Sequence, residues 1–277
     1  MKILRRSLLA TLLLSACSGA LAAGCRSPVP VPESALVKKG TLLMSVNPTL
    51  PPLQFVDRSG ALQGMRVELG KAIAQRLCLT PEYVRIEFSA MIPGLKAGRW
   101  DLINTGIFYT PERARIMYML PYEDQAISIS INKGSALKIG NADDLAGRSI
   151  GVEIGGFEEN KARELHKLLV SRGKQGLTIR TFENFSMAFQ ALRAGQVDAT
   201  LAIDATSAEY EKRGGFVRVL HGLFPTPVAL AARNGTLAAA IAKVLNEMRT
   251  DGSFQKLLDQ YGVEPIGGEI AVKGPGT

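Results

Sequence analysis

The sequence has few of the residues that most often build reactive centres. Its 277 residues include two histidines, three cysteines and one tryptophan. Neither His166 nor His221 has a group of Cys or acidic residues nearby at ligand spacing, which argues against a metal site. No nucleophile–base motif is present, and Gly155-Gly156 is too short a glycine pattern for a phosphate-binding loop. The sequence therefore predicts no metal and no cofactor.

The positive charge is also not gathered into a tract. The formal net charge is +8, and Lys2, Arg5 and Arg6 lie in a segment that we expect to be removed. About +5 then remains, scattered along the chain. No basic run is interleaved with aromatic residues, so no nucleic-acid partner is predicted. Beyond the N-terminus, no apolar run is long enough to span a bilayer.

Residues 1–22 are typical of an export signal. A basic start, MKILRR, precedes an apolar stretch that ends in small residues. Cleavage after Ala22 would release a soluble periplasmic protein. Alternatively, Leu14-Ser15-Ala16-Cys17 resembles a lipobox, which would leave Cys17 lipidated and the protein anchored. Both alternatives place the protein outside the cytoplasm of a bacterium.

A linker and a cysteine pair follow the signal. Pro and Val alternate in part of the segment 23–37. This pattern favours an extended linker. The oxidising compartment permits a disulfide between Cys25 and Cys78. The alternative is that Cys78 is a small buried apolar residue at the end of a helix.

One seven-residue pattern occurs twice, as LKAGRWD ending at Asp101 and LRAGQVD ending at Asp198. An apolar stripe at helical spacing precedes each copy and stops at a Gly, as helix ends often do. A short apolar run follows each copy and is typical of a buried strand. The pattern therefore predicts a helix end, a turn and a strand start in each of two similar α/β lobes.

Strands and helices alternate along the rest of the chain, which predicts an α/β fold with mainly parallel sheets. Ligands of such sheets bind beyond the carboxyl ends of the strands. The last residues, GGEIAVKGPGT, are expected to form a disordered tail. The predicted strands cover residues 41–46, 83–88, 126–131, 149–154, 177–182, 199–203, 216–220 and 227–233, and the clearest helices cover 67–77 and 158–171.

Thr110-Pro111-Glu112-Arg113 is the sharpest local signal of a binding site. Thr is a good N-cap, Pro is favoured at the first helical position, and an acidic residue suits the first turn. Arg113 then lies beside free backbone N–H groups, where its guanidinium can bind a carboxylate with two hydrogen bonds. The alternative is an ordinary surface arginine.

Six segments resemble, in order, the bacterial extracellular solute-binding proteins of the polar-amino-acid group. They include VELGKAIAQRL, FSAMIPGLKAGRWDLINTGIFYTPERA, DDLAGRSIGVEIGG and RTDGSFQKLLDQYG, and the resemblance covers about residues 38–264. It implies a two-lobed periplasmic binding protein of type II. Such a protein is a monomer that closes on a small molecule and delivers it to an ABC permease.

The resemblance also implies how the chain is divided. Lobe 1 would comprise residues 38–126 and 228–264, and lobe 2 would comprise 127–227. Two strands near 124–128 and 225–229 would join the lobes, and residues 265–277 would form the tail. The Asp residues of the repeated pattern would bind backbone amides rather than ligand.

The resemblance carries a set of site residues onto this chain. Arg113 matches the arginine that binds the ligand's carboxylate, and Phe88 matches the aromatic residue that stacks on the ligand. The backbone of Thr105 and Gly106 would line the pocket for the α-amino group. The loop 155–157 would offer its amides to the carboxylate when the lobes close. Leu50 is a further predicted contact.

Three departures from the family pattern bear on the ligand. Phe108 and Phe157 stand where the family usually has Ser or Thr. The position of the family's ammonium-binding Asp holds Ile203, and Asp204 is one step further. A one-residue step turns a strand side chain to the opposite face. Either a bulge returns Asp204 to the site, which is the alternative we favour, or no carboxylate meets an ammonium there.

Arg66 and Asn47 are two further predicted ligand contacts. The lysine- and arginine-binding relatives have acidic residues at both positions. Since Arg66 would repel a cationic side chain, we expect the ligand to be neither lysine nor arginine. An acidic or aromatic ligand is the expectation instead.

Two other functions remain open. Secreted cyclohexadienyl dehydratases are similar in motifs, but Ser207 stands where their catalytic Glu is expected, so Glu153 or Glu209 would have to replace it. A sensor that docks on a membrane kinase would use the same closed lobes as a transport receptor. The transport receptor, which is not an enzyme, is the leading interpretation.

Overall fold

The computed structural model describes residues 29–276. The predicted export signal, with Cys17 and Cys25, lies outside the described residues. Cys78 is disulfide-bonded, and its partner also lies outside them, so the pairing with Cys25 stays a prediction. Among the described residues no helix has both the length and the apolar character that a membrane span requires.

The elements follow the alternation that the sequence predicts. The strands are β1 (Thr41–Val46), β2 (Thr49–Leu50), β3 (Gln54–Val56), β4 (Leu62–Gln63), β5 (Thr80–Arg85), β6 (Leu102–Phe108), β7 (Tyr118–Asn132), β8 (Ser149–Glu153), β9 (Thr178–Phe182), β10 (Ala199–Ile203), β11 (Phe216–Ala232) and β12 (Glu264–Pro265). The helices are α1 (Met65–Arg76), α2 (Phe88–Lys96), α3 (Pro111–Ala114), α4 (Phe157–Ser171), α5 (Phe185–Arg193), α6 (Asp204–Lys212), α7 (Gly235–Thr250) and α8 (Ser253–Asp259).

One long sheet runs through the molecule in the order β5-β1-β6-β11-β7-β10-β8-β9, with β12 beside β7. At one end β1 pairs parallel with β5 and β6, and at the other β8 pairs parallel with β9 and β10. The central strands β7 and β11 are antiparallel to each other. The fold is therefore a mixed α/β fold with two parallel halves, one for each lobe.

The two central strands are longer than the sequence predicts. We expected separate strands at 216–220 and 227–233, but β11 is one strand of 17 residues. Its pairing with β7 is interrupted by register shifts between Arg218 and Thr226 and again after Val228. The sequence predicts no strand for the residues between the two runs, whereas bulges keep this segment in the sheet. The predicted crossings near 124–128 and 225–229 fall inside β7 and β11, and the lobe limits there stay a prediction.

The repeated pattern has the predicted role in both halves. Gly98 and Gly195 both have φ of 69°, a left-handed turn that favours Gly after a helix. Asp101 Oδ2 then accepts a hydrogen bond of 3.1 Å from Leu43 N in β1. Asp198 Oδ2 accepts one of 2.7 Å from the backbone N of Ser149, at the start of β8. Each Asp therefore ties its turn to a neighbouring strand.

Asp101→Ala should destabilise the protein more than Asp198→Ala. Asp101 is fully buried and also accepts a hydrogen bond of 2.7 Å from Val37 N, so its loss leaves two amides unpaired. We expect a loss of about 3 kcal/mol for Asp101→Ala and about 1 kcal/mol for Asp198→Ala, where water can reach the amide. Urea unfolding of both variants measures the difference, and equal losses would contradict this account.

The C-terminal residues are ordered against the sheet, contrary to the predicted disordered tail. Met119 N donates to Lys273 O at 2.7 Å, and Lys273 N donates to Met119 O at 2.8 Å. Ile270 is buried, and its N–H donates to Asn246 Oδ1. The Gly and Pro content suggested disorder, but an apolar anchor and a pair of backbone hydrogen bonds offset the entropy of ordering this segment.

Candidate functional site

A narrow cavity, with a volume of only about 10 Å³, lies between the two lobes. The first lobe contributes residues from β6, α2 and α3, and from β2, which belongs to a separate small sheet of β2, β3 and β4. The second contributes residues from β8, α4, α5 and β10. The lining residues are Leu50, Phe88, Thr105, Gly106, Phe108, Arg113, Glu153, Gly156, Phe157, Glu158, Phe185 and Ile203. Eight of these were predicted from the sequence as ligand contacts.

Arg113 supplies a positive charge to this cavity. The side chain of Thr110 caps α3 by accepting from Arg113 N at 3.2 Å, as predicted. The guanidinium donates to two backbone carbonyls, Phe108 O at 2.9 Å and Gly155 O at 3.2 Å. No carboxylate within the described chain lies close enough for a salt bridge with it. Burial lowers the pKa of Arg113, whereas Glu158 and Glu153 act in the opposite direction.

Aromatic rings form the other main surface of the cavity. Phe88 lies at the start of α2, and Arg113 Cζ is 5.4 Å from the centroid of its ring. Phe108 and Phe157 stack across the two halves with ring centroids 4.4 Å apart. The phenyl groups that replace hydroxyls in this chain therefore face each other.

Thr105 and Gly106 form one wall through their backbone. Gly106 has φ of 79°, and a Cβ there would lie 2.0 Å from Arg66 Nη1. Gly is therefore required both for the turn and for the close approach of Arg66. Thr105 Oγ1 accepts from Asn47 N at 2.9 Å, which fixes the end of β1 against β6.

Arg66 lies behind this wall and not in the cavity, which corrects its predicted role. It is fully buried, and Nη2 forms a salt bridge of 2.5 Å with Glu123 Oε1. Nη1 donates to Gln54 Oε1 at 2.9 Å. The charge of Arg66 is thus neutralised within the protein. Repulsion from Arg66 no longer gives a reason to exclude a cationic ligand.

Asp204 also lies outside the cavity, and the predicted bulge is not formed. Pairing of β10 with β7 continues in register to Ile203, which lines the cavity. The side chain of Asp204 accepts from Ser128 Oγ and, at 2.9 Å, from Gly222 N. Asp204 is already the first residue of α6, and its carboxylate is held by Ser128 and Gly222 away from the cavity.

Asn47 bridges the two halves rather than lining the cavity. Its Nδ2 donates to Glu153 Oε1 at 2.8 Å and approaches Glu87 Oε2 at 3.5 Å. A second bridge joins Asn184 Nδ2 to Glu87 Oε1 at 3.0 Å. With the bond from Arg113 to the carbonyl of Gly155, these contacts hold the cleft closed.

Glu153 and Glu158 are cavity residues that the sequence did not identify as ligand contacts. Glu153 ends β8 and is 4 % exposed, and Glu158 lies in the first turn of α4 and is 2 % exposed. Burial raises the pKa of Glu158 to about 7. Burial, with Glu158 and Glu87 nearby, raises the pKa of Glu153 well above its usual value. Locally, Glu158 is indistinguishable from an ordinary acidic residue at a helix start.

The described residues contain no cluster of three or more metal-ligating side chains. The cavity instead offers one guanidinium, two buried carboxyls and aromatic faces. Such a set can bind a small organic zwitterion through charge-assisted hydrogen bonds and stacking.

Comparison with known proteins places the chain in a family. The family model of bacterial extracellular solute-binding proteins, family 3, matches residues 42–264. The chain belongs to this family. Its relatives include the L-cystine-binding protein TcyJ of Escherichia coli, which is 27% identical over 229 residues, covering 81% of this chain and 83% of TcyJ.

Two solved structures are similar to this family 3 solute-binding protein over most of its length. An ancestral arginine-binding protein bound to arginine is 32% identical with a TM-score of 0.74, covering 80% of this chain and 98% of its own. An ancestral amino acid-binding protein described as a precursor of cyclohexadienyl dehydratase is 29% identical with a TM-score of 0.71, covering 80% and 95%. Both share the two-lobed α/β fold.

Proposed function

We propose that this protein captures an amino acid between its lobes in the periplasm and presents it to an ABC permease. The proposal rests mainly on one observation, the buried guanidinium of Arg113, which faces the cavity without a salt-bridge partner among the described residues. An unpaired buried charge is costly, and a ligand carboxylate would offset that cost. The names of the relatives, which bind cystine or arginine, support the same class of ligand.

Closure of the two lobes is the proposed mechanism. Arg113 in α3 and Phe88 in α2 belong to the first lobe, and Glu153 in β8 and Phe157 in α4 belong to the second. A ligand bound to the first half gains the second set of contacts only when the cleft closes, so it selects the closed state. The permease would recognise a monomer in that state. This function requires no bond making or breaking.

Arg113→Ala should abolish ligand binding while the fold is kept. A ligand at a hundred times its dissociation constant stabilises the native state by about 2.7 kcal/mol. We expect one of the standard L-amino acids or L-cystine to give such a shift in thermal unfolding of the wild-type protein, and no shift in the variant. Arg115→Ala is the matched control, because Arg115 is an exposed arginine on the same turn. A variant that binds as tightly as wild type would refute the role of Arg113.

A second candidate is a dehydratase that acts on prephenate or arogenate. It is favoured by two buried carboxyls in the cleft, Glu153 and Glu158, because burial raises the pKa of both and a carboxyl with a raised pKa can act as a general acid. Glu153 would serve in place of the absent Glu at Ser207, whereas Glu209 pairs with Arg213 away from the cavity. Formation of phenylpyruvate or phenylalanine by the purified protein, lost in Glu153→Gln, would establish the enzyme.

A further inference from the structure

Two buried carboxyls face the cavity without a salt-bridge partner in the part of the chain that the structure describes, although the charge of Arg113 lowers the pKa of both against the larger effect of burial. Glu153 and Glu158 both belong to the second lobe, at the end of β8 and the start of α4. Neither forms a salt bridge within residues 29–276. Burying a carboxylate is costly unless it is paired, so the fold retains an unfavourable arrangement at this point.

The hydrogen bonds of these carboxyls leave room for a further donor. Glu153 Oε1 accepts from Asn47 Nδ2 at 2.8 Å. Glu158 Oε1 is buried and has no hydrogen-bond partner in the described chain. Buried polar atoms in native proteins are almost always satisfied, so an unsatisfied oxygen beside a cavity points to a ligand donor.

The other acidic group expected here is absent. Ile203 lines the cavity where a carboxylate from β10 was expected, and Asp204 binds Ser128 and Gly222 away from the cavity. Within the described chain, Glu153 and Glu158 are the acidic residues that line the cavity.

We infer that Glu153 and Glu158 together form the subsite that binds the cationic group of the ligand, opposite Arg113. The inference rests on the proposed function, since it assumes a ligand that also carries a carboxylate. In this arrangement two carboxyls, from β8 and α4, take the place of the carboxylate expected from β10. The second lobe therefore contributes charge recognition as well as closure.

This subsite should release protons when it is filled. Glu153 faces Glu158, Glu87 and Arg113, and Glu158 faces Arg113 and Arg66. Burial raises the pKa of Glu158 to about 7, so at neutral pH the empty site holds part of a proton there. A cation between the two carboxyls favours their ionised forms. Binding should then tighten as the pH rises from 6 to 8.

The test compares Glu153→Gln, Glu158→Gln and the double variant with wild type. The probes are the standard L-amino acids, L-cystine and their desamino analogues, in which hydrogen replaces the α-amino group. Binding is measured by isothermal titration calorimetry, with thermal unfolding to confirm the fold. Glu164→Gln is the matched control, because it removes the same charge from an exposed position on the same helix.

Each Gln variant should weaken binding by about tenfold or more, since a charge-assisted hydrogen bond is lost. Glu164→Gln should stay within about twofold of wild type. Wild type should prefer the amino acid over its desamino analogue, and the double variant should lose this preference. Folded Gln variants with unchanged affinity and unchanged preference would overturn the inference.

A measurement on wild type covers the case in which a Gln variant does not fold. Titrations at pH 7 in phosphate and in Tris give the protons released, because the two buffers differ in ionisation enthalpy. Net release is expected, and its absence would overturn the inference. If wild type binds no probe, the proposed function fails as well. If Arg113→Ala abolishes binding while the Gln variants bind normally, only this inference fails.

Discussion

Glu123→Gln should lower the free energy of unfolding by about 3–5 kcal/mol, although it lies outside the cavity. The variant leaves Arg66 buried, charged and without a carboxylate, and both side chains are fully buried in the native protein. In the native protein burial lowers the pKa of Arg66, but Glu123 and Tyr122 outweigh this and raise it. Without Glu123 the guanidinium still keeps its proton at neutral pH, because arginine remains charged in proteins. Urea unfolding measures the loss.

Two further variants separate an ion-pair effect from a packing effect. Arg66→Met combined with Glu123→Leu removes both charges, and we expect it to recover most of the stability lost in Glu123→Gln. Glu164→Gln removes a carboxylate from an exposed pair with Lys161 and should change stability by less than about 1 kcal/mol. A loss in the double variant as large as that in Glu123→Gln would show that packing, and not the unpaired charge, dominates.

The stability of the ligand-free protein should fall as the pH rises from about 5 to 8. Glu158 has a native pKa of about 7 against an ordinary value of 4.5. In this window the native state holds a proton that the unfolded state has lost. A rise from 4.5 to about 7 is worth on the order of 3 kcal/mol. Glu153 acts in the same direction, because burial also raises its pKa.

Urea unfolding at several pH values between 5 and 8 tests this slope. Glu158→Gln should flatten the profile and exceed wild type in stability at pH 8, whereas Glu164→Gln should keep the wild-type slope. Carboxyls with a lowered pKa, such as Asp251 at about 2, lose their contribution only below about pH 4 and do not interfere. A wild-type stability that rises from pH 5 to 8 would contradict the burial of an uncompensated carboxyl in the cleft.

Much of the site followed from the sequence because its residues sit at recognisable local features or in motifs of the family. Arg113 lies in the first turn of a helix whose start Thr110 and Pro111 predict, since Thr is a good N-cap and Pro is favoured at the first helical position. Phe88, Phe108 and the loop before Phe157 were predicted from their match to the motifs of the family that the chain resembles. The position of Arg113 could be predicted from a local helix start, whereas the positions of the others could be predicted only because the motifs occur in the family's order.

The residues placed wrongly depend on contacts that no local pattern contains. Arg66 has the partner Glu123, and 57 residues separate the two in the chain. Whether Ile203 faces the cavity depends on strand register, which pairing with β7 decides, and Asp204 already belongs to α6. Asn47 turned out to bridge the lobes, since its partner Glu153 belongs to the other half of the sheet.

The sequence by itself determined the α/β alternation, the two similar halves marked by Asp101 and Asp198, and the family. Periodicity, turn residues and motif order are local properties, and they specify secondary structure and its succession. The tertiary structure alone decided which charges are neutralised and which face the cavity. A buried charge is defined by its three-dimensional neighbours and by the exclusion of water, so the roles of Arg66, Glu153 and Glu158 emerged only from the packed lobes.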